Sequence, residues 1–129
     1  MTNIAFYSVL YYQPSWVLQE KIVIGLFFAF PELSMCKVVY PKNISRVKSV
    51  FPDSKAGFIR DGLFARELIA NKLTGTLPND CKSMDMFIRD SFGYEAISFV
   101  FGKCNPAIYS DVSELINRNI ELFFKPYNQ

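Results

Sequence analysis

The chain has 129 residues, 50% of them hydrophobic and 16% aromatic, with 14 basic side chains against 12 acidic ones and no histidine. Its length and its 13 Phe and 7 Tyr suit a single domain, residues 1–129, that hides roughly two-thirds of the surface its unfolded form exposes. Without imidazole, Ser-His-Asp and Cys-His nucleophile activation, His-ligated metals and imidazole acid-base chemistry are excluded.

Residues 4–12 (IAFYSVLYY) are dense in aromatic and β-branched types and stop at Gln13-Pro14, which predicts a first strand. Residues 20–30 (EKIVIGLFFAF) predict a second, ended by Pro31, and Met35 to Tyr40 a third, close enough to form a hairpin with it. Strand two is apolar on both alternating sets of side chains, as expected of a central strand covered on both faces. The first strand, carrying Tyr7, Tyr11 and Tyr12, is expected at a sheet edge. Such an apolar edge needs covering, which a homodimer would provide.

After Tyr40 the period becomes helical. Pro41 is placed to open a helix over Ile44, Val47, Val50 and Phe51, and Pro52 to end it. A second helix is predicted over about 56–73, with Phe58, Ile59, Leu63, Ala70 and Leu73 inward and Gly75 closing it. Asp80 is set to cap a third helix that runs through about Phe92, with Met84, Phe87 and Ile88 inward and Asp85 paired to Arg89 outside. Residues 94–102 (YEAISFVFG) read as a fourth strand, broken by Asn105-Pro106. The last helix is the plainest: Asp111 at the N-cap, a stripe of Val112, Leu115, Ile116, Ile120, Phe123 and Phe124, and Pro126 beyond it. This order predicts an α+β fold, a small antiparallel sheet of an N-terminal three-strand meander plus a later strand, packed with about four helices.

Cys36, Cys81 and Cys104 form no Cys-x-x-Cys pair, which disfavours zinc and a disulfide framework and fits small buried residues in a reducing cytoplasm. Lys37 beside Cys36 is the one local feature that would lower a thiol pKa. The longest apolar run, Ile22 to Phe30, is far short of the roughly 20 residues of a membrane span, and the N-terminus lacks the basic region of a signal peptide. A cytoplasmic location away from membranes is expected, with no cofactor and no metal.

Several short segments resemble a known family. Tyr7-Ser8-Val9-Leu10-x-Tyr12-x-Pro14, a strand carrying Gly25 and ending in Phe30-Pro31-Glu32, and Arg46-x-x-x-x-Phe51-Pro52-Asp53 resemble, in order and spacing, the bacterial domain-of-unknown-function family 3037. The chain departs from the family's pattern at Val100 to Asn105, where members carry proline-arginine-serine, and between the first two strands, where Glu20 alone matches. The resemblance brings no activity with it. It implies a small bacterial accessory protein, often encoded beside kinase-like proteins that look like the toxin of a toxin-antitoxin pair.

The charge is uneven. Lys37, Lys42, Arg46, Lys48, Lys55 and Arg60 stand against Asp53 alone, a net of +5 over residues 37–60 within a chain of net +2. Lys42 and Arg46, one helical turn apart and joined by Lys48 and Tyr40, would meet an acidic protein surface or phosphates. Tyr7, Tyr11 and Trp16 add aromatic faces suited to a partner's apolar anchor or to bases. Carboxylate pairs such as Asp61 with Glu67 or Asp90 with Glu95 look like cap and surface residues, and no glycine-rich phosphate loop is present. The expectation is a non-catalytic interaction protein whose partner is a protein, a kinase-like one by the resemblance. The alternative is a nucleic-acid-binding module that uses the basic 37–60 segment.

Overall fold

In the structure, a computed structural model that describes residues 3–15, 17, 19–93 and 98–128, five strands and four helices form an α+β domain. β1 (Asn3–Tyr12), β2 (Ile22–Phe30) and β3 (Met35–Val39) are the expected meander. α1 (Ser45–Val50), α2 (Ala56–Asn71) and α3 (Cys81–Phe92) follow, then β4 (Phe99–Phe101), β5 (Asn105–Tyr109) and α4 (Val112–Phe124). The sheet is antiparallel, in the order β3-β2-β1-β4, with β5 also on β1.

β2 is central, and every residue from Ile24 to Phe30 is buried. Alternation and register assign its side chains to two cores. Phe27 and Ala29 lie level with Ser8 and Phe6 of β1 and with Val38 and Cys36 of β3. This face is covered by α3, whose Met84 and Ile88 are buried, and by Ala70 of α2. Phe27, Phe92 and Phe101 interlock there, Phe92 and Phe101 with ring centroids 4.9 Å apart. Leu26, Phe28 and Phe30 point the other way, towards Leu115, Ile116 and Phe124 of α4 and Tyr127 in the 3-10 turn Lys125–Asn128.

Three expectations are corrected. β1 is not an edge strand: β2 pairs along one side, and β4 and β5 share the other. Asn105-Pro106 does not end the sheet but opens β5, in which Pro106 lies opposite Phe6. β5 is an outer strand, so an imino acid can sit there without removing a bond from both neighbours. α1 begins at Ser45 rather than at Pro41, with Ile44 at its N-cap, so Lys42 lies in the preceding loop. Among the described residues of the predicted fourth strand Phe99–Phe101 form β4, and Ser98 O accepts the Gln13 N–H at 2.8 Å; residues 94–97 lie outside the described residues.

The caps form as expected: the Asp80 carboxylate accepts the Ser83 N–H at 2.8 Å and that of Asp111 the Glu114 N–H at 3.1 Å. α2 carries Ile59, Leu63 and Ala70 buried, but Phe58, one residue off that stripe, is 55% exposed. Gly62 lets α2 approach the sheet, since a Cβ there would stand 2.3 Å from the Phe99 ring. That ring is held in place, with the Arg66 guanidinium 4.3 Å from its centroid and Arg66 Nη1 donating to the Gly62 carbonyl.

Gly62→Ala should therefore destabilise the fold by ~1–3 kcal/mol through overpacking. Gly57→Ala, where a Cβ meets nothing within 4 Å, should stabilise it by ~0.5 kcal/mol; urea melts of the two variants read both signs. A second test concerns Tyr127, whose hydroxyl donates to the Val23 carbonyl. Burial pushes this phenol from its ordinary 10.0 up to about 12, while Arg46 pulls the other way. A group whose folded-state pKa is raised contributes stability that is whole below the unfolded value and is lost as pH climbs through the folded one. Tyr127→Phe should be less stable than the parent at neutral pH, and the difference should shrink between about pH 10 and 12 in melts across that range.

Candidate functional site

A cleft of about 470 Å³ opens where the end of β1 meets the turn between α1 and α2. α1 is short because Phe51 leaves the helix as its N–H reaches back to Val47 O at 2.7 Å, and Pro52 cannot continue a helical ladder. The Ser54 N–H then bonds Phe51 O at 3.0 Å, and Lys55, in extended conformation, starts α2. This turn forms one wall, Tyr12 and Pro14 form the other, and Phe58 in the first turn of α2 stands at the rim.

Tyr12 anchors the cleft. Its ring is buried between Phe51 and Phe99, each with its centroid 5.9 Å away. Its hydroxyl and Ser54 Oγ share a buried hydrogen bond of 2.8 Å. Above this polar pair the lining is apolar, with Val50 44% and Phe58 55% exposed, and Asp53 and Lys55 supply opposite charges at the surface. Tyr12, Pro14, Phe51, Pro52 and Asp53 line the cleft, while Tyr7, Gly25, Phe30 and Arg46, quoted with them for the resemblance, do not.

The basic residues Lys42, Arg46 and Lys48 are exposed, as are Lys37, Lys55 and Arg60. Arg46 lies close enough to the Tyr127 phenol to favour its ionised form. The tyrosines expected to join them have other partners. Tyr40 turns to α2, where its hydroxyl donates to Glu67 Oε1 at 3.0 Å; burial, with Glu67 adding to it, raises its pKa. Tyr7 packs against Phe28 and Phe123, centroids 6.4 and 6.3 Å away. Tyr11 lies beneath the Lys21 ammonium, 4.4 Å from its ring centroid. Trp16 lies outside the described residues.

Two further readings change. Asp85 accepts the Cys104 N–H at 2.7 Å, which ties α3 to the link between β4 and β5. Lys37 does not activate Cys36: strand alternation puts the exposed lysine on the other face, and burial pushes the thiol up to about 12. Among the described residues no cluster of three or more His, Cys, Asp or Glu is placed to hold a metal, and no helix is long and apolar enough to cross a membrane.

Fold and cleft together define a small α+β domain with an apolar recess beside a strongly basic segment. No model of a known protein family, no curated protein and no solved structure matches the chain.

The Tyr12 to Ser54 bond ties the cleft to the sheet, and a double-mutant cycle measures it. Tyr12→Phe and Ser54→Ala should each cost ~1–2 kcal/mol, because each leaves a buried hydroxyl unpaired. The double variant should lose less than the sum of the two in urea melts.

Proposed function

We propose that this protein is a non-catalytic interaction protein that binds an acidic segment of a partner protein. An apolar side chain of that segment sits in the cleft between Tyr12 and Phe58, and its carboxylates face Lys42, Arg46, Lys48 and Lys55. The observation that carries this reading is the exposure of Val50 and Phe58 in a recess within the stretch of chain that holds the +5 excess. A buried apolar anchor ringed by charge is how interfaces concentrate affinity and set orientation. The resemblance to family 3037 supports a bacterial accessory role and makes a kinase-like protein encoded nearby the first partner to test.

Nucleic acid is the weaker reading. Single strands are held by aromatic faces as well as by charge, and Tyr7, Tyr11 and Tyr40 are each engaged within the domain.

Binding to the partner recovered from the native host should fall about tenfold or more in Lys42→Glu with Arg46→Glu, and likewise in Phe58→Asp. The first effect should fade as salt rises and the second should not. Equal binding by both variants and the parent sinks the reading. Steeply salt-dependent binding to a DNA or RNA pool, untouched by Phe58→Asp, would put nucleic acid in its place.

A further inference from the structure

α2 is apolar on two sides, and the domain covers only one of them. Ile59, Leu63 and Ala70 are buried, yet on the outer side Phe64 and Leu68, one turn apart, are 54% and 44% exposed. At about 100° per residue, Asp61, Phe64, Ala65, Leu68 and Lys72 share one arc of about 100°, and Asp61, Ala65 and Lys72 are exposed as well. Lys72 is the C-cap and keeps αR backbone geometry, so it continues the stripe. An acid thus stands at one end of an apolar stripe and a base at the other.

We propose that this face of α2 is the interface of a homodimer, in which the helices of two copies pack antiparallel through Phe64, Ala65 and Leu68. The order of the charges selects both the occupant and its direction. Parallel helices would set Asp61 against Asp61 and Lys72 against Lys72, and like charges brought together repel. In an isologous pair each contact occurs twice, residue i on j and j on i. Aligning Asp61 with Lys72 of the second copy therefore returns Lys72 to the second copy's Asp61. The same alignment sets Ala65 opposite Leu68, because both pairs share the midpoint between residues 66 and 67. A small side chain then receives a large one on each side of the dyad, and an ion pair closes each end of the stripe.

Exposed ion pairs add little affinity. Their effect is on orientation and on the choice of partner, while the apolar contacts supply the attraction. A helix of 16 residues is about 24 Å long, which puts this interface at the small end of those that hold a dimer and makes the association a weak one, on the order of micromolar. Phe58, at the rim of the cleft, precedes the paired stretch. The dimer leaves the recess open, and its existence does not rest on the reading of that recess.

Sedimentation equilibrium of the intact chain at low salt, from about 1 μM to about 500 μM, tests the proposal. The parent should pass with concentration from the mass of one chain to twice that mass. Leu68→Asp should weaken association about tenfold or more, with its circular dichroism unchanged. Asp61→Lys and Lys72→Asp should each weaken it about threefold or more. Mixed in equal amounts, those two variants should associate with each other more tightly than either does with itself. Both substitutions in one chain should restore the parent's affinity to within about twofold. A parent that stays monomeric throughout, a dimer indifferent to Leu68→Asp, or charge variants that neither weaken association singly nor recover it together would overturn the proposal.

Discussion

The pairing of β1 along both edges is the constraint on which the other elements depend. Its inner edge belongs to β2, and its outer edge is divided, with β4 opposite Leu10 to Tyr12 and β5 opposite Asn3 to Tyr7. The handover falls at Ser8 and Val9. Gly102 N–H donates to Val9 O at 2.8 Å, and the wholly buried Ser8 Oγ donates to Gly102 O at 2.7 Å. An unpaired buried hydroxyl or carbonyl costs ~1–3 kcal/mol. One side chain thus satisfies itself and the backbone at the single place where the ladder changes partner.

From that strand the two faces separate. Leu10 and Tyr12 lie level with Phe101 and Phe99, while Tyr11 pairs with Val100 on the opposite side. Phe99 is therefore fixed from the sheet, and α2 approaches it through Gly62 and Arg66. Phe58, whose ring centroid is 5.8 Å from that of Phe99, takes its position at the cleft rim from the same contact. The floor is set by Tyr12, so the shape of the recess is a consequence of β1 being interior. On a bare edge strand neither Phe99 nor Ser54 would hold that ring.

Local features of this architecture were legible in the residues and non-local ones were not. The two-sided burial of β2, the caps Asp80 and Asp111 and the stripe of α4 are decided within a few positions of the chain, by periodicity and by side-chain acceptors placed before a helix. The interior place of β1 depends on a strand about a hundred positions away, which the proline at its second position disguised as a break. Tyr12 and Ser54 are 42 residues apart, and no spacing rule links them. The basic segment was visible as charge, yet the tyrosine expected to complete it, Tyr40, is held by Glu67, because its place at the end of β3 faces α2. Asp85 and Cys104 are 19 residues apart and carry no shared motif, and they meet because α3 lies beside the β4 to β5 link.

The same geometry explains why the positive charge is left facing outward. Acids of the C-terminal half have specific acceptor roles: Asp80 and Asp111 cap α3 and α4, Asp85 holds the Cys104 N–H, and Glu67 takes the Tyr40 hydroxyl. A carboxylate at a helix N-terminus sits against the positive end of the helix and is offset there rather than by a distant cation. The six basic side chains between Lys37 and Arg60 are all exposed, with only Asp53 among them to oppose their charge. At physiological salt the field of exposed charges fades over about 8 Å, so an acid on the far side of the domain does little to cancel this excess. The field around this segment is accordingly set by its own side chains and by acids beside it, such as the exposed Asp61, rather than by the nearly neutral chain as a whole.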